Sequence, residues 1–169
     1  HMGYSAELIA EKFRITREDS DRFALESYSK ALAARAAGKF KEEIVPVELP
    51  GGKVFDTDEV PRETSMEALA RLRPAFKKDG QVTAGNSSKI SDGAAAVVVT
   101  AEEIAEKLGL NIMAYIVAHG AAAQDPKDVL VTPILSIPKV LKKARLELKD
   151  IDLHEVNEAF AVSTVAVQR

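Results

Sequence analysis

From Ala94 to Thr100 the chain reads Ala-Ala-Ala-Val-Val-Val-Thr, a run of strand length with no charge and no polar alternation. Such a segment suits a strand covered on both faces, the setting of a parallel sheet. Thr100 and Glu103 stand in capping-box register, and the helical pattern they open closes at Gly109. A second strand is expected over Ile112–Ala118, and a third, short one over Asp152–Val156. Between them Ile137, Val140, Leu141, Ala144 and Leu148 mark an amphipathic helix, and a further helix is expected from Glu158 onward. Strand and helix in alternation predict an α/β layer with a parallel sheet.

The first half has another texture. Ala6, Ile9, Ala10 and Phe13 recur at helical spacing. Thr16 then caps a longer helix, with Glu18 and Asp19 in its first turn, where the macrodipole favours negative charge. Its inner stripe is Phe23, Ala24, Ser27, Tyr28 and Ala31, and Gly38 ends it. Glu42–Leu49 is extended, an edge strand at best because of Pro46. Residues 50–65 form a loop, a short helix spans Met66–Leu72, and Pro74 stops it. A chain of this length can bury about 68–70% of its unfolded surface.

Composition excludes several functions. The 23 basic and 26 acidic side chains give a net charge of -3, without the basic footprint that nucleic acid requires. No apolar run approaches a membrane span, and no signal peptide is expected. With no cysteine in the 169 residues, disulfides, thiolate metal sites and cysteine nucleophiles are excluded within them. His1, His119 and His154 show no ligand spacing, so no metal site is predicted. The string Gly80 to Ser87 imitates a phosphate loop, but Asn86 stands where that motif needs lysine and no strand leads into it. There is no G-x-S-x-G elbow. Asn157 is better placed, between a strand and a helix, where α/β proteins collect ligands; as the helix N-cap it would direct polar atoms at such a site. His1-Met2-Gly3 is either native or the scar of a tag, and Arg169 falls inside a helical pattern, so a cut piece is expected.

Two strings carry more. Glu155-Val156-Asn157-Glu158-Ala159-Phe160-Ala161 and Val82-Thr83-Ala84-Gly85-Asn86-Ser87-Ser88, the latter followed by Ser91-Asp92-Gly93-Ala94-Ala95-Ala96, resemble signatures of the thiolases, in particular the acetyl-CoA acetyltransferases. His1-Met2-Gly3, Lys39 to Pro46 and Leu72 to Phe76 match the same family in order, so the resemblance covers the whole chain.

The resemblance implies an α/β fold, here part of a thiolase-like fold: a helical loop domain plus incomplete parallel-sheet layers. Residues 1–89 would cover the coenzyme A site, residues 90–111 would be the last strand and helix of the N-terminal half, and residues 112–169 the opening of the C-terminal half. A nucleophilic Cys upstream, and a His and a second Cys downstream, would complete the enzyme, so the chain by itself is expected to be inactive. With only part of each α/β half present, apolar strands such as Ala94–Thr100 are expected to lack neighbours within it. His1 and Met2 match a pair lining the pantetheine slot, which favours the native reading of that end. Arg62 matches a basic residue near the adenine and its phosphates, while Ala68 stands where the family often has Ser. Ser88 matches a Ser that bonds the pantetheine amide, with Ala84 and Phe76 as apolar walls, and Phe160 would help close the pocket. Asn157 matches the Asn that holds a water at the enolate oxygen. No cofactor would be bound permanently; coenzyme A and acyl-CoA are substrates. The partners implied are the missing parts of the polypeptide and further copies in a dimer or tetramer, with no nucleic acid and no membrane, in the cytoplasm. The expected reaction is acetyl transfer between two acetyl-CoA molecules or its reverse. The alternatives are a long-chain 3-ketoacyl-CoA thiolase of β-oxidation and a non-catalytic acyl-CoA-binding subunit.

Overall fold

The expected first helix, α1 (Met2–Phe13), forms with Ala6, Ile9 and Ala10 fully buried, as its 3.6-residue spacing requires. His1 caps it, its Nδ1 accepting the Gly3 N–H at 3.2 Å. The chain leaves through Arg14 in the left-handed region (φ 52°), and the Ile15 N–H donates back to the Ala10 carbonyl at 2.9 Å. That turn returns Ile15 to the apolar face of α1. Helix α2 (Arg17–Ala36) opens on a reciprocal capping box: the Asp19 N–H donates to Thr16 Oγ1 at 3.1 Å, and the Thr16 N–H donates to Asp19 Oδ2 at 3.0 Å. Gly38 (φ 68°) follows its last turn, in the position where a left-handed residue ends a helix.

The model, computed from the sequence, describes all residues His1–Arg169. After α2 come a minimal hairpin of β1 (Val47–Glu48) and β2 (Val54–Phe55), then α3 (Met66–Ala70), α4 (Glu102–Lys107), α5 (Pro133–Ala144) and α6 (Ala161–Gln168). Short 3-10 segments span Pro126–Val131 and Leu148–Asp150. The hairpin pairs Val47 with Phe55 and Glu48 with Val54, antiparallel, around left-handed Gly51 and Gly52. No helix is long and apolar enough to cross a membrane.

The core joins the two ends of the chain. Ala6, Ile9 and Ala10 of α1 pack with Ile15, Val82 and Val131 against Phe160, Val162 and Ala166, with Phe13, Phe76 and Leu130 at its margin. Helix α6 lies on both α1 and α2.

The structure corrects the second half in several places. The expected strands 94–100, 112–118 and 152–156 make no backbone–backbone hydrogen bonds, and the β1–β2 hairpin is the only sheet. The apolar runs are open to solvent, with Val98 87%, Ile116 71% and Leu153 86% exposed. An apolar run specifies a segment fit for burial, but a strand is a property of a pair. None of these segments meets another of this chain in ladder register. Accessible surface is therefore 13068 Å². A folded monomer of this mass would show about 8,100 Å², so burial falls to about half of the extended-chain surface instead of the expected 68–70%. At the helix ends, α4 starts after Ala101 with no side-chain cap, so the Thr100–Glu103 box does not form. Helix α5 begins at Pro133 and ends at Arg145 in the left-handed region, short of Leu148. Helix α6 begins at Ala161 with Phe160 as N-cap, so neither Glu158 nor Asn157 opens it.

Candidate active site

The residues 74–88 fold back on themselves and present one side to the start of the chain and the other to its end. Pro74 and Thr83 form an isolated antiparallel bridge, closed by the Ala75 N–H donating to the Val82 carbonyl at 2.8 Å. Farther on, Ser87 bridges Phe160: the Ser88 N–H donates to the Ala159 carbonyl at 3.0 Å, and the Ala161 N–H donates to the Asn86 carbonyl at 2.9 Å. The two motif strings thus meet as a short antiparallel pair. This contact explains the late start of α6, because Phe160 is held extended against the loop by the bonds of its two neighbours.

An aromatic series joins them to the N-terminus. The His1 ring lies 4.8 Å from Phe76, tilted by 39°, and Phe76 meets Phe160 edge-on at 6.2 Å and 77°. Edge-to-face contacts of this kind fix ring orientation as well as burying area. Phe76 also covers Gly3 so closely that a side chain at position 3 would occupy the ring's place. His1, Phe76 and Phe160 are therefore brought together, with Met2 next to His1 and half exposed, and Ser88 bonded to the residue before Phe160. Ser88 and Ala84 are exposed. The Ala84 carbonyl accepts a hydrogen bond from Lys89 Nζ.

Two expected site residues stand apart. Arg62 is exposed between β2 and α3, with neither a hydrogen bond nor an ion pair. Asn157 is exposed and lines an open cleft of about 350 Å³ with Pro133, Ser136, Ile137, His154 and Glu155. Neighbouring Glu158 is tied to α2, its Oε2 accepting from Ser27 Oγ at 2.6 Å.

Sequence reasoning missed the polar groups beneath this surface. Glu7 is buried on α1, and its carboxylate accepts the N–H groups of Gln81 and Val82. Asp21 is buried on α2, and Asn86 is buried in the loop. The available signal was a carboxylate on each apolar stripe: Glu7 lies one turn from Gly3 and Ala10, and Asp21 one turn from Ala24.

A loop-and-helix-end surface uniting the Thr-Ala-Gly-Asn-Ser and Asn-Glu-Ala-Phe-Ala strings defines the class as thiolase. Residues 1–103 match the model of the thiolase N-terminal domain, and residues 110–169 that of the C-terminal domain. The chain belongs to the thiolase family. It is 49% identical over 172 residues to an acetyl-CoA acetyltransferase of Syntrophomonas wolfei, which covers 100% of this chain and 43% of that protein. The crystal structure of the Bacillus anthracis acetyl-CoA acetyltransferase matches with TM-score 0.96 and 45% identity over 99% of this chain and 44% of that one. The dimeric peroxisomal thiolase of Saccharomyces cerevisiae matches with TM-score 0.96 and 40% identity over 99% of this chain and 43% of that one. The chain thus spans less than half the length of these relatives, and its fold is the corresponding part of the thiolase fold.

Proposed function

We propose that this chain supplies the coenzyme A-facing part of an acyltransferase that moves acetyl groups between two acetyl-CoA molecules or, in reverse, cleaves acetoacetyl-CoA with coenzyme A. The observation that carries this reading is the contact series His1–Phe76–Phe160, with Ser88 bonded to Ala159. It gathers residues from three distant parts of the chain into one apolar wall with the exposed Ser88 at its edge. A pantetheine arm is long, thin and mostly apolar, with amides along it, and such a surface suits it.

In this reading Met2, Phe76, Ala84 and Phe160 line the arm, Ser88 bonds one of its amides, His1 orients Phe76, and Arg62 is free to meet phosphate. Asn157 holds a water that donates to the oxygen on which negative charge develops, a contribution that grows as the reaction proceeds. The acyl carrier and the proton-moving group are outside these 169 residues, which contain no cysteine. Acetyl transfer is favoured over long-chain thiolysis by the 49% and 45% identity to acetyl-CoA acetyltransferases. A covering segment 1–89 belongs to the same reading, and the boundary between parts of two α/β halves, 90–111 and 112–169, is supported by the change of family model between residues 103 and 110. Assembly of copies is supported by the dimeric yeast relative. A cytoplasmic location belongs to the same reading.

The test is Ser88→Ala in the complete gene product. Loss of one hydrogen bond should raise KM for the acyl-CoA by a factor corresponding to about 0.5–1.5 kcal/mol. Unchanged KM for both substrates removes Ser88 from the site.

A further inference from the structure

Beneath the proposed coenzyme A surface runs a series of polar side chains, Arg17, Asp21 and Asn86, of which the last two are buried. Asn86 Nδ2 donates to Asp21 Oδ1 at 2.9 Å and to the Gln81 carbonyl at 3.1 Å, while its Oδ1 accepts the Thr83 N–H at 2.8 Å. One side chain thereby closes the loop 81–86 on itself and moors it to α2. The other Asp21 oxygen, Oδ2, accepts from Arg17 Nε at 2.7 Å, and Arg17 Nη2 donates to the carbonyls of Leu69 at 2.6 Å and Leu72 at 3.1 Å. Those two leucines form the seat of Gly85, where an added Cβ would stand 2.5 Å from Leu69 Cδ2 and 2.6 Å from Leu72 Cδ1. Arg17 therefore fixes the backbone of the residues the loop rests on, and Asp21 fixes the loop itself.

Asp21 is only 1% exposed and Asn86 4%. A buried carboxylate is costly unless fully bonded, and here each oxygen has its own donor. Simple loop anchoring could use a neutral side chain. A carboxylate shared between an amide and a guanidinium defines direction as well as distance.

We propose that Arg17, Asp21 and Asn86 form a positioning relay that holds Ala84 and Ser88 at the height where they meet the pantetheine arm. This rests on the coenzyme A reading above. The relay acts on binding more than on turnover, because the contact between Asn86 and Ala161, four residues beyond Asn157, is made by the Asn86 backbone carbonyl, which side-chain changes leave in place.

The test uses the complete gene product and acetoacetyl-CoA thiolysis, with melting temperature measured in parallel. In Asp21→Asn an amide offers one acceptor to two donors, and in Asn86→Asp two carboxylates face each other. Each single change should raise KM for acetoacetyl-CoA about tenfold, the scale of one lost charge-assisted hydrogen bond, with kcat within about threefold. The reciprocal pair Asp21→Asn with Asn86→Asp restores one donor facing one acceptor between positions 21 and 86 but leaves a carboxylate oxygen against the Gln81 carbonyl, and should recover KM in part, to a value at least about twofold below that of either single change. Arg17→Lys, on a partly exposed side chain, keeps the charge but not the reach to two carbonyls, and should raise KM by about threefold, which keeps the relay testable where the buried changes prevent folding. Folded variants with lower melting temperature and unchanged KM, or a reciprocal pair no better than the singles, overturn the relay. A wild-type protein that neither cleaves acetoacetyl-CoA nor binds coenzyme A overturns the coenzyme A reading and the relay with it.

Discussion

Glu7 on the first helix holds the backbone of Val82, its Oε1 accepting the Val82 N–H at 3.0 Å across 75 positions of sequence. The same carboxylate accepts the Gln81 N–H at 2.9 and 3.0 Å, so both oxygens are engaged by the loop. The helix that carries His1 and Met2 and the loop that carries Ala84 and Ser88 are thereby one unit. Glu7→Ala should cost about 1–3 kcal/mol for each N–H left buried without an acceptor. Glu7→Gln keeps one carbonyl acceptor and should cost less than half as much. Urea titration of the complete gene product checks the order; equal stability of wild type and Glu7→Ala would contradict the clamp.

Asn157 caps no helix, since α6 opens at Ala161 behind Phe160. Its replacement by Ala should therefore change folding stability by no more than about 0.5 kcal/mol, the scale of an exposed surface change. If Asn157 serves the developing oxyanion, kcat should fall by about 10²–10³. Steady-state kinetics beside a thermal melt separates the two. Full turnover in a folded Asn157→Ala variant would remove the residue from the chemistry.

The capping box of α2 carries a pH signature. The Thr16 backbone N–H, then the Thr16 hydroxyl contact, and in smaller measure the Arg169 charge hold the Asp19 carboxyl below its ordinary range. A carboxyl whose folded pKa is depressed contributes stability that is present above its unfolded pKa and lost as pH falls through the folded one. The stability difference between wild type and Asp19→Ala should thus be constant near neutrality and shrink on acidification below the ordinary aspartate range. A difference that grew toward acid would contradict the assignment. Thr16→Ala should cost about 0.5–2 kcal/mol at neutral pH.

What was legible in the sequence was what depends on near neighbours. Thr16 and Asp19 cap α2 as expected because both partners lie within one turn, and Ala6, Ile9 and Ala10 face inward because spacing alone sets a helix face. The family was legible because its two strings are unbroken. Asn157 was expected to cap a helix because nothing local shows that residues 159–161 are held against Ser87. The burial of Glu7, Asp21 and Asn86 was hidden for the same reason, since each is satisfied by groups far away in sequence. The stretch 94–100 reads as a strand by composition, and its lack of a partner is as expected from the resemblance, which leaves only part of each α/β half within these residues.

The central claim, that this surface serves coenzyme A-dependent acetyl transfer, is tested most directly by substrate kinetics of the complete gene product. Thiolysis of acetoacetyl-CoA and of a longer straight-chain 3-ketoacyl-CoA would be followed at saturating coenzyme A. The account predicts cleavage of both classes only when coenzyme A is present, with the higher kcat/KM for acetoacetyl-CoA. Folded protein that binds no coenzyme A and cleaves neither substrate would contradict it; a higher kcat/KM for the longer chain would overturn the acetyl assignment.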